Sequence, residues 1–278
     1  LNVQRTVALK VMGATTDAKS LERFKREAEL LARIRHPNVI QVHDFQLGPP
    51  AFLVTEFVEG QDLASHLKQH GPMPEDRALE VSLALAAGLS AIHAEQILHR
   101  DLKPENVILR PTGEPVLLSG ALVGTPSYMS PEQAMGNRAQ QGPATDVYGL
   151  GAILYTLLSG ETPYAECESL NALLSTMLSR APTPLEEVAP QLSRDLCAVA
   201  NKCLQRSPAA RYPRIAPSPA RLKTGTVRQA IRISASASRN WISSAEKPRE
   251  DIPGQPFSGW GSPSGASTSK TFRTTDTV

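Results

Sequence analysis

Eight consecutive residues, His99-Arg100-Asp101-Leu102-Lys103-Pro104-Glu105-Asn106, carry three side chains of complementary chemistry. The Asp101 carboxylate can accept a proton, the Lys103 ammonium can offset negative charge, and the Asn106 carboxamide oxygen can hold a cation. A second ammonium, Lys10, sits in a β-branched, apolar run, and a further carboxylate, Glu27, follows on the next periodic segment. Such a set suits a reaction governed by positioning and charge neutralisation rather than by a covalent intermediate. The three cysteines, Cys167, Cys197 and Cys203, form no CxxC pair, so a disulfide framework and a thiol redox motif are both excluded. No Gly-x-Gly-x-x-Gly run occurs anywhere in the chain.

These side chains must be positioned by elements that the hydrophobic pattern predicts. Residues 3–12 read as a strand. Leu21, Phe24, Ala28, Leu31 and Ile34 recur at helical spacing over 17–34, with Asp17 or Ser20 as the N-cap and His36-Pro37-Asn38 as the stop. Residues 39–45 and 51–58 read as two strands around the turn Gly48-Pro49-Pro50. Beyond Glu59-Gly60 the pattern turns helical. Residues 75–95 place Leu79, Leu83, Ala86, Leu89 and His93 on one face, 144–159 and 192–205 are apolar helices, and a shorter helix falls near 168–179. A loop-rich stretch, 98–135, lies among them. Strands first and helices later predict an α+β chain of two lobes.

The whole chain has 278 residues, enough for one large domain or two small ones. Apolar residues make up 41%, which supports a real core. Charged residues at 20% and a net charge of +2 exclude a polybasic protein held by nucleic-acid phosphates. No apolar run reaches the ~18 residues of a membrane span, and no signal peptide is visible, so a cytoplasmic protein with reduced cysteines is expected. The chain starts at Leu1, directly in a strand-like run, which suggests a fragment or a misplaced start. From about Ile215 the composition shifts, and about half of residues 234–278 are Ser, Thr, Gly or Pro. Such a segment buries too little surface to offset its chain entropy, so a disordered tail is expected.

The run from His99 to Asn106 resembles the catalytic loop of eukaryotic-type (bacterial Hanks-type) serine/threonine protein kinases. Other matches follow in order. Val7-Ala8-Leu9-Lys10 is similar to the strand motif whose Lys meets the α- and β-phosphates of ATP. Glu27, ten residues before Pro37, stands where the family's pairing Glu does, with Glu29 as its competitor. Phe52–Gly60 resembles the strand and hinge between the lobes. Val123-Gly124-Thr125-Pro126 through Pro131-Glu132 resembles the end of the activation segment.

The resemblance covers roughly residues 3–214 and implies a bilobal kinase-like fold: a partial N-lobe over 1–58, a C-lobe over 59–214, and a tail over 215–278. It implies ATP and Mg²⁺ as cofactors and transfer of phosphate to Ser/Thr hydroxyls of a protein substrate, with no nucleic-acid partner and no membrane span. Asp101 would accept the hydroxyl proton, Lys103 would offset phosphate charge, and Asn106 would bind Mg²⁺. Lys10 and Glu27 would hold the phosphates, backbone groups of Glu56 and Val58 the adenine, Ala8 and Ile108 its two faces, and Thr55 the pocket behind it. Thr125 and Lys103 would mark Ser/Thr specificity. Glu132 would pair with Arg211, and Asp146 would accept hydrogen bonds from the catalytic-loop backbone.

The pattern also departs from the family. The strands and Gly-rich loop expected ahead of Lys10 are missing. The position of the metal-binding Asp of Asp-Phe-Gly falls at Ser119, and a hydroxyl is a poor ligand for Mg²⁺. The twelve residues 120–131 make a short activation segment that leaves Arg100 without its usual phosphate, and Pro217 and Pro219 interrupt the last helix. These departures motivate an alternative, a catalytically impaired pseudokinase that binds a partner protein. They also leave the tail readable either as a phosphorylated linker or as out-of-frame sequence.

Overall fold

The β-branched, apolar run around Lys10 and the alternation of Phe52-Leu53-Val54-Thr55-Glu56 both suit a pleated strand. In the computed structural model, which describes residues 5–11, 18–48, 50–119, 126–213 and 215, these runs form strands β1 (Val7–Val11) and β3 (Phe52–Glu56). With β2 (Val42–Gln46) they make an antiparallel sheet in the order β1-β3-β2. Ala8 lies opposite Thr55 and Lys10 opposite Leu53. Directly opposed residues share a face, so Ala8, Lys10, Leu53 and Thr55 lie on one side of the sheet. Leu53 and Thr55 are its buried positions. A bulge between Val42 and Asp44 shifts the register of β2 against β3.

Helix α1 (Ala18–Leu31) packs against this sheet through Phe24, Ala28 and Leu31, with Ile34 beyond its end. Phe24 meets Phe45 edge-on at 6.5 Å. The helix starts at Ala18, so Ser20 lies inside it and does not cap it. Asp17, the other candidate cap, lies outside the described residues. So do Val3 and Met12 of the first expected strand, Pro49 of the expected turn, Thr125, and residues 216–278 of the expected tail.

The larger lobe is helical. A two-residue strand, β4 (Gln61–Asp62), leads into α2 (Leu63–His70), whose N-cap Asp62 accepts a bond from Ser65 N at 2.8 Å. Then come α3 (Glu75–Ala94), β5 (Val107–Leu109), β6 (Pro115–Leu117), α4 (Pro131–Ala134), α5 (Pro143–Ser159), α6 (Leu170–Ser179), α7 (Leu185–Val188) and α8 (Arg194–Cys203). Strands β4, β5 and β6 form a second antiparallel sheet, of which β5 and β6 lie inside the stretch read as loop.

Helix α5 is the axis of this lobe: every residue from Thr145 to Leu158 is buried. Helices α3 and α8 pack on it. Gly151 admits α8, because a Cβ there would lie 2.3 Å from the Cβ of Cys203. The deeply buried line of α3 is Ala78, Val81, Leu85, Leu89 and Ile92. Of the face expected from sequence only Ala86 and Leu89 are buried, while Leu79, Leu83 and His93 are partly exposed. The correction has a simple cause: α3 is packed by α5 on one side and by β6 on another, so its apolar residues are spread widely around the helix.

The lobes meet at β6. Leu117 N donates to Asn38 O and Ile40 N to Leu117 O, both at 2.9 Å. Asn38 Nδ2 also reaches Pro115 O at 2.8 Å. The turn after α1 is thereby fastened beside the strand that leads into the candidate site.

Candidate active site

The catalytic-loop sequence is held from beneath by one carboxylate. Asp146, in the first turn of α5, accepts from His99 N through Oδ2 and from Arg100 N through Oδ1, both at 2.8 Å. His93 Nε2–H donates to the same Oδ2 at 2.7 Å. Burial alone would push the Asp146 carboxyl up. The hydrogen bond and charge of His93, with the His99 and Arg100 groups, outweigh this and hold it below its ordinary value. Two successive N–H groups can face one carboxylate because the chain turns sharply at Arg100, which has φ +62°. A non-glycine residue in that region carries backbone strain of roughly 1–3 kcal/mol, which the Asp146 bonds offset.

His99 locks the other side. Its Nε2–H donates to Leu118 O at 2.7 Å, so Nδ1 faces Asp101 N as an acceptor, 3.4 Å away. Burial pushes the imidazole pKa down against the pull of Asp146, which suits this neutral tautomer.

Above this base, the Asp101 side chain is almost wholly buried. Asn106 Nδ2 donates to Asp101 O and to Asp101 Oδ2, both at 2.7 Å. The Lys103 ammonium stands 3.3 Å from Asp101 Oδ1. The amide nitrogen of Asn106 is thus committed to Asp101, and its Oδ1 is the atom left to a cation. Lys10 arrives from β1, and its Nζ donates to Ser119 O at 2.5 Å. Ser119 is buried and follows β6, whose next residue Leu118 donates its N–H to Asn106 O at 2.9 Å. Burial pushes the Lys10 ammonium pKa down, and Asp101 and then Glu27 oppose this while Lys103 adds to it. The structure therefore brings together Asp101, Lys103 and Asn106, with Lys10 on Ser119 close enough to feel their charge, and Glu27 acts on the Lys10 charge as well.

The remaining predicted residues lie on β1, β3, the segment after β3, and β5. Ala8 and Thr55 are cross-strand partners on the face that carries Lys10. Val58 is buried in a small apolar cluster with Ile40 and Val116, against which Ile108 packs. Glu56 ends β3, with its N–H on Gln41 O at 2.9 Å and its Oε1 on Gln41 N at 3.0 Å. Just beyond, Gly60 has φ +152°, and a Cβ there would sit 2.1 Å from Leu109 O, so the chain passes β5 at a distance only glycine allows.

Behind the site, Arg211 is fully enclosed. Its NH1 and NH2 meet Glu132 Oε1 and Oε2, each at 2.7 Å, and its remaining donors bind Gln205 O, Ala144 O and Arg206 O. The predicted pair is present, bidentate and fully hydrogen-bonded.

The sequence profile of the protein kinase domain matches residues 2–216. The chain belongs to the protein kinase domain family. It is 42% identical over 218 residues to the serine/threonine-protein kinase pkn2 of Myxococcus xanthus, covering 70% of this chain and 26% of that protein. It is 35% identical over 231 residues to the serine/threonine-protein kinase PknA of Mycobacterium tuberculosis, covering 75% and 52%. It is 31% identical over 271 residues to the serine/threonine-protein kinase PknB of Mycobacterium leprae, covering 88% and 43%. The chain thus spans between about a quarter and about half the length of these relatives.

In this kinase domain two contributions escaped the sequence reading. One is His93, read as part of an apolar face, which instead supports Asp146. The other is the carbonyl of Ser119, which holds Lys10. A titratable residue within an apolar helix was the available signal for His93. Backbone carbonyls leave no such signal. Among the described residues no helix is long and apolar enough to cross a membrane.

Proposed function

We propose that this chain acts as a serine/threonine protein kinase, moving the γ-phosphate of ATP to a hydroxyl of a protein substrate. The observation that carries this reading is the meeting of Asp101, Lys103 and Asn106 with Lys10, which comes from the other lobe. In this reading the adenine lies between Ala8 and Ile108, in front of Thr55, against the backbone of Glu56 and Val58. With the Glu56 N–H committed to Gln41, its carbonyl is the backbone group that Glu56 offers. Lys10, supported by Glu27, faces the phosphates. The proposed boundaries are an N-lobe over 1–58, a C-lobe over 59–214 and a tail over 215–278.

Asp101 accepts the proton of the substrate hydroxyl as its oxygen bonds to the γ-phosphorus. The bond from that phosphorus to the β,γ-bridging oxygen breaks, and the charge left on the diphosphate falls beside Lys10 and Lys103. Asp101 is held for this by Asn106, and the loop beneath it by Asp146.

Mg²⁺, which family membership implies in general, fits these residues only in part. Asn106 Oδ1 would be one ligand, but position 119 offers a serine. Among the described residues no three His, Cys, Asp or Glu side chains are grouped to hold a metal.

The test is phosphorylation of a generic protein substrate by the purified chain and by its Asp101→Asn variant. Loss of the proton acceptor should lower the transfer rate by about 10²–10⁴-fold. Transfer that survives the substitution unchanged would exclude this chemistry.

A further inference from the structure

We propose that this kinase site neutralises the nucleotide's phosphates with its own lysines, Lys10 and Lys103, and binds ATP without requiring a divalent cation. This rests on the reading of the site as a nucleotide site and adds how its charge is managed.

The first argument is a charge count. Two ammonium groups, Lys10 and Lys103, are balanced by two carboxylates: Lys103 stands 3.3 Å from Asp101 Oδ1, and Asp101 and Glu27 both act on the Lys10 charge. A carboxylate at position 119 would tip this balance to a net negative charge. A polyphosphate could then enter only with cations to bridge it. Ser119 leaves the balance even, so the phosphates meet two ammonium groups with no surplus of anionic groups opposing them.

The second argument is what holds Lys10. Its Nζ donates to the neutral Ser119 carbonyl at 2.5 Å. An anionic phosphate oxygen is a stronger acceptor for an ammonium than a neutral carbonyl. The ammonium is desolvated by burial, which weakens its competing hydration and strengthens its attraction to an anion. Lys103, partly exposed beside Asp101, can turn from Oδ1 toward the γ-phosphate while Asn106 Nδ2 still holds Asp101 Oδ2.

The third argument concerns donors. Mg²⁺ takes a near-octahedral set of oxygens and is held through one or two carboxylates plus phosphates. Here Asn106 supplies a neutral carboxamide oxygen. The nearest carboxylate, Asp101, already has Asn106 Nδ2 on one oxygen and Lys103 near the other. A site that offers a cation so little, and an anion two ammonium groups, selects the nucleotide over the metal.

The experiment is equilibrium binding of a fluorescent ATP analogue to the full 278-residue chain, in Mg²⁺ and in EDTA. The dissociation constants in the two conditions are expected to agree within about threefold, and both should weaken as ionic strength rises. Lys103→Ala should weaken binding in EDTA by about tenfold. Ser119→Asp, which restores a carboxylate, should weaken binding in EDTA by about tenfold and recover it in Mg²⁺. Circular dichroism would check that both variants stay folded, and the wild-type comparison stands without them. Wild-type binding that is tight in Mg²⁺ and more than about tenfold weaker in EDTA overturns this inference and leaves the kinase reading intact. No binding in either condition overturns both.

Discussion

At the scale of single residues, the site depends on one buried carboxylate that touches no substrate. Asp146 satisfies His99 N, Arg100 N and His93 Nε2 together, and the strained turn at Arg100 exists to make this possible. Asp146→Ala would leave the buried His99 N–H, the partly buried Arg100 N–H and an imidazole without an acceptor. Each buried donor so stranded costs about 1–3 kcal/mol, so a loss of about 3 kcal/mol or more is expected in urea denaturation. The transfer rate should fall too, because Asp101 follows directly on the released turn. A variant within about 0.5 kcal/mol of wild type would show that the contact is incidental. The residues of the loop were legible because Asp101, Lys103 and Asn106 lie within six positions, and local spacing alone brings them together. Lys10 and Glu27 were legible only through the order of motifs. His93 and the Ser119 carbonyl were not, since each acts through a partner far away in sequence that only the folded chain brings near.

At the scale of elements, the longer ones stand where the pattern placed them, although α3 buries a different face, and the shortest went unread. Helices α1, α5 and α8 have repeated apolar positions, β1 is an apolar run around Lys10 and β3 alternates, so tertiary packing and local pattern agree. Strands β4, β5 and β6 are two or three residues long, too short for any period to register, and α2 buries only Leu63 outright. Their places are set by hydrogen bonds from Asn38, Ile40 and the end of the hinge rather than by their own composition. Glycine carries one element-scale decision that the sequence hides. Gly151 lies in the middle of α5, where its low helix propensity is a disadvantage, yet it marks the point of closest approach to α8. Gly151→Ala should gain helix propensity in isolation but place a methyl group 2.3 Å from Cys203 Cβ. Overpacking of this kind costs about 1–3 kcal/mol, so the net effect is destabilising, read as a lower urea midpoint at unchanged slope. A raised midpoint would show that α8 shifts freely and that the two helices are not locked.

At the scale of the whole molecule, the Glu132–Arg211 pair ties the segment after the site to the far end of the helical lobe, 79 positions along the chain. It spans a long stretch of chain and is fully enclosed, so it links the active-site surroundings to global stability. Burial alone would push the Glu132 carboxyl up. The Arg211 guanidinium, through hydrogen bonds and charge, and then the Thr145 hydroxyl outweigh burial and hold it below the ordinary value of 4.5. A carboxyl whose folded pKa lies below its unfolded one binds fewer protons in the native state. Its contribution to stability is complete above the unfolded value and is lost as pH falls through the folded value. Glu132→Gln keeps the shape of the side chain but leaves Arg211 a buried cation without its counter-charge. At neutral pH that should cost about 3–5 kcal/mol. The two proteins should then converge on acidification, because protonated Glu132 leaves Arg211 in the same position as glutamine does. Denaturation of both across a pH series checks this: the gap in unfolding free energy should be constant near neutrality and narrow below pH 4.5. A gap that stays constant into acid would mean that the pair acts through packing and hydrogen bonding alone, with no share from its charge.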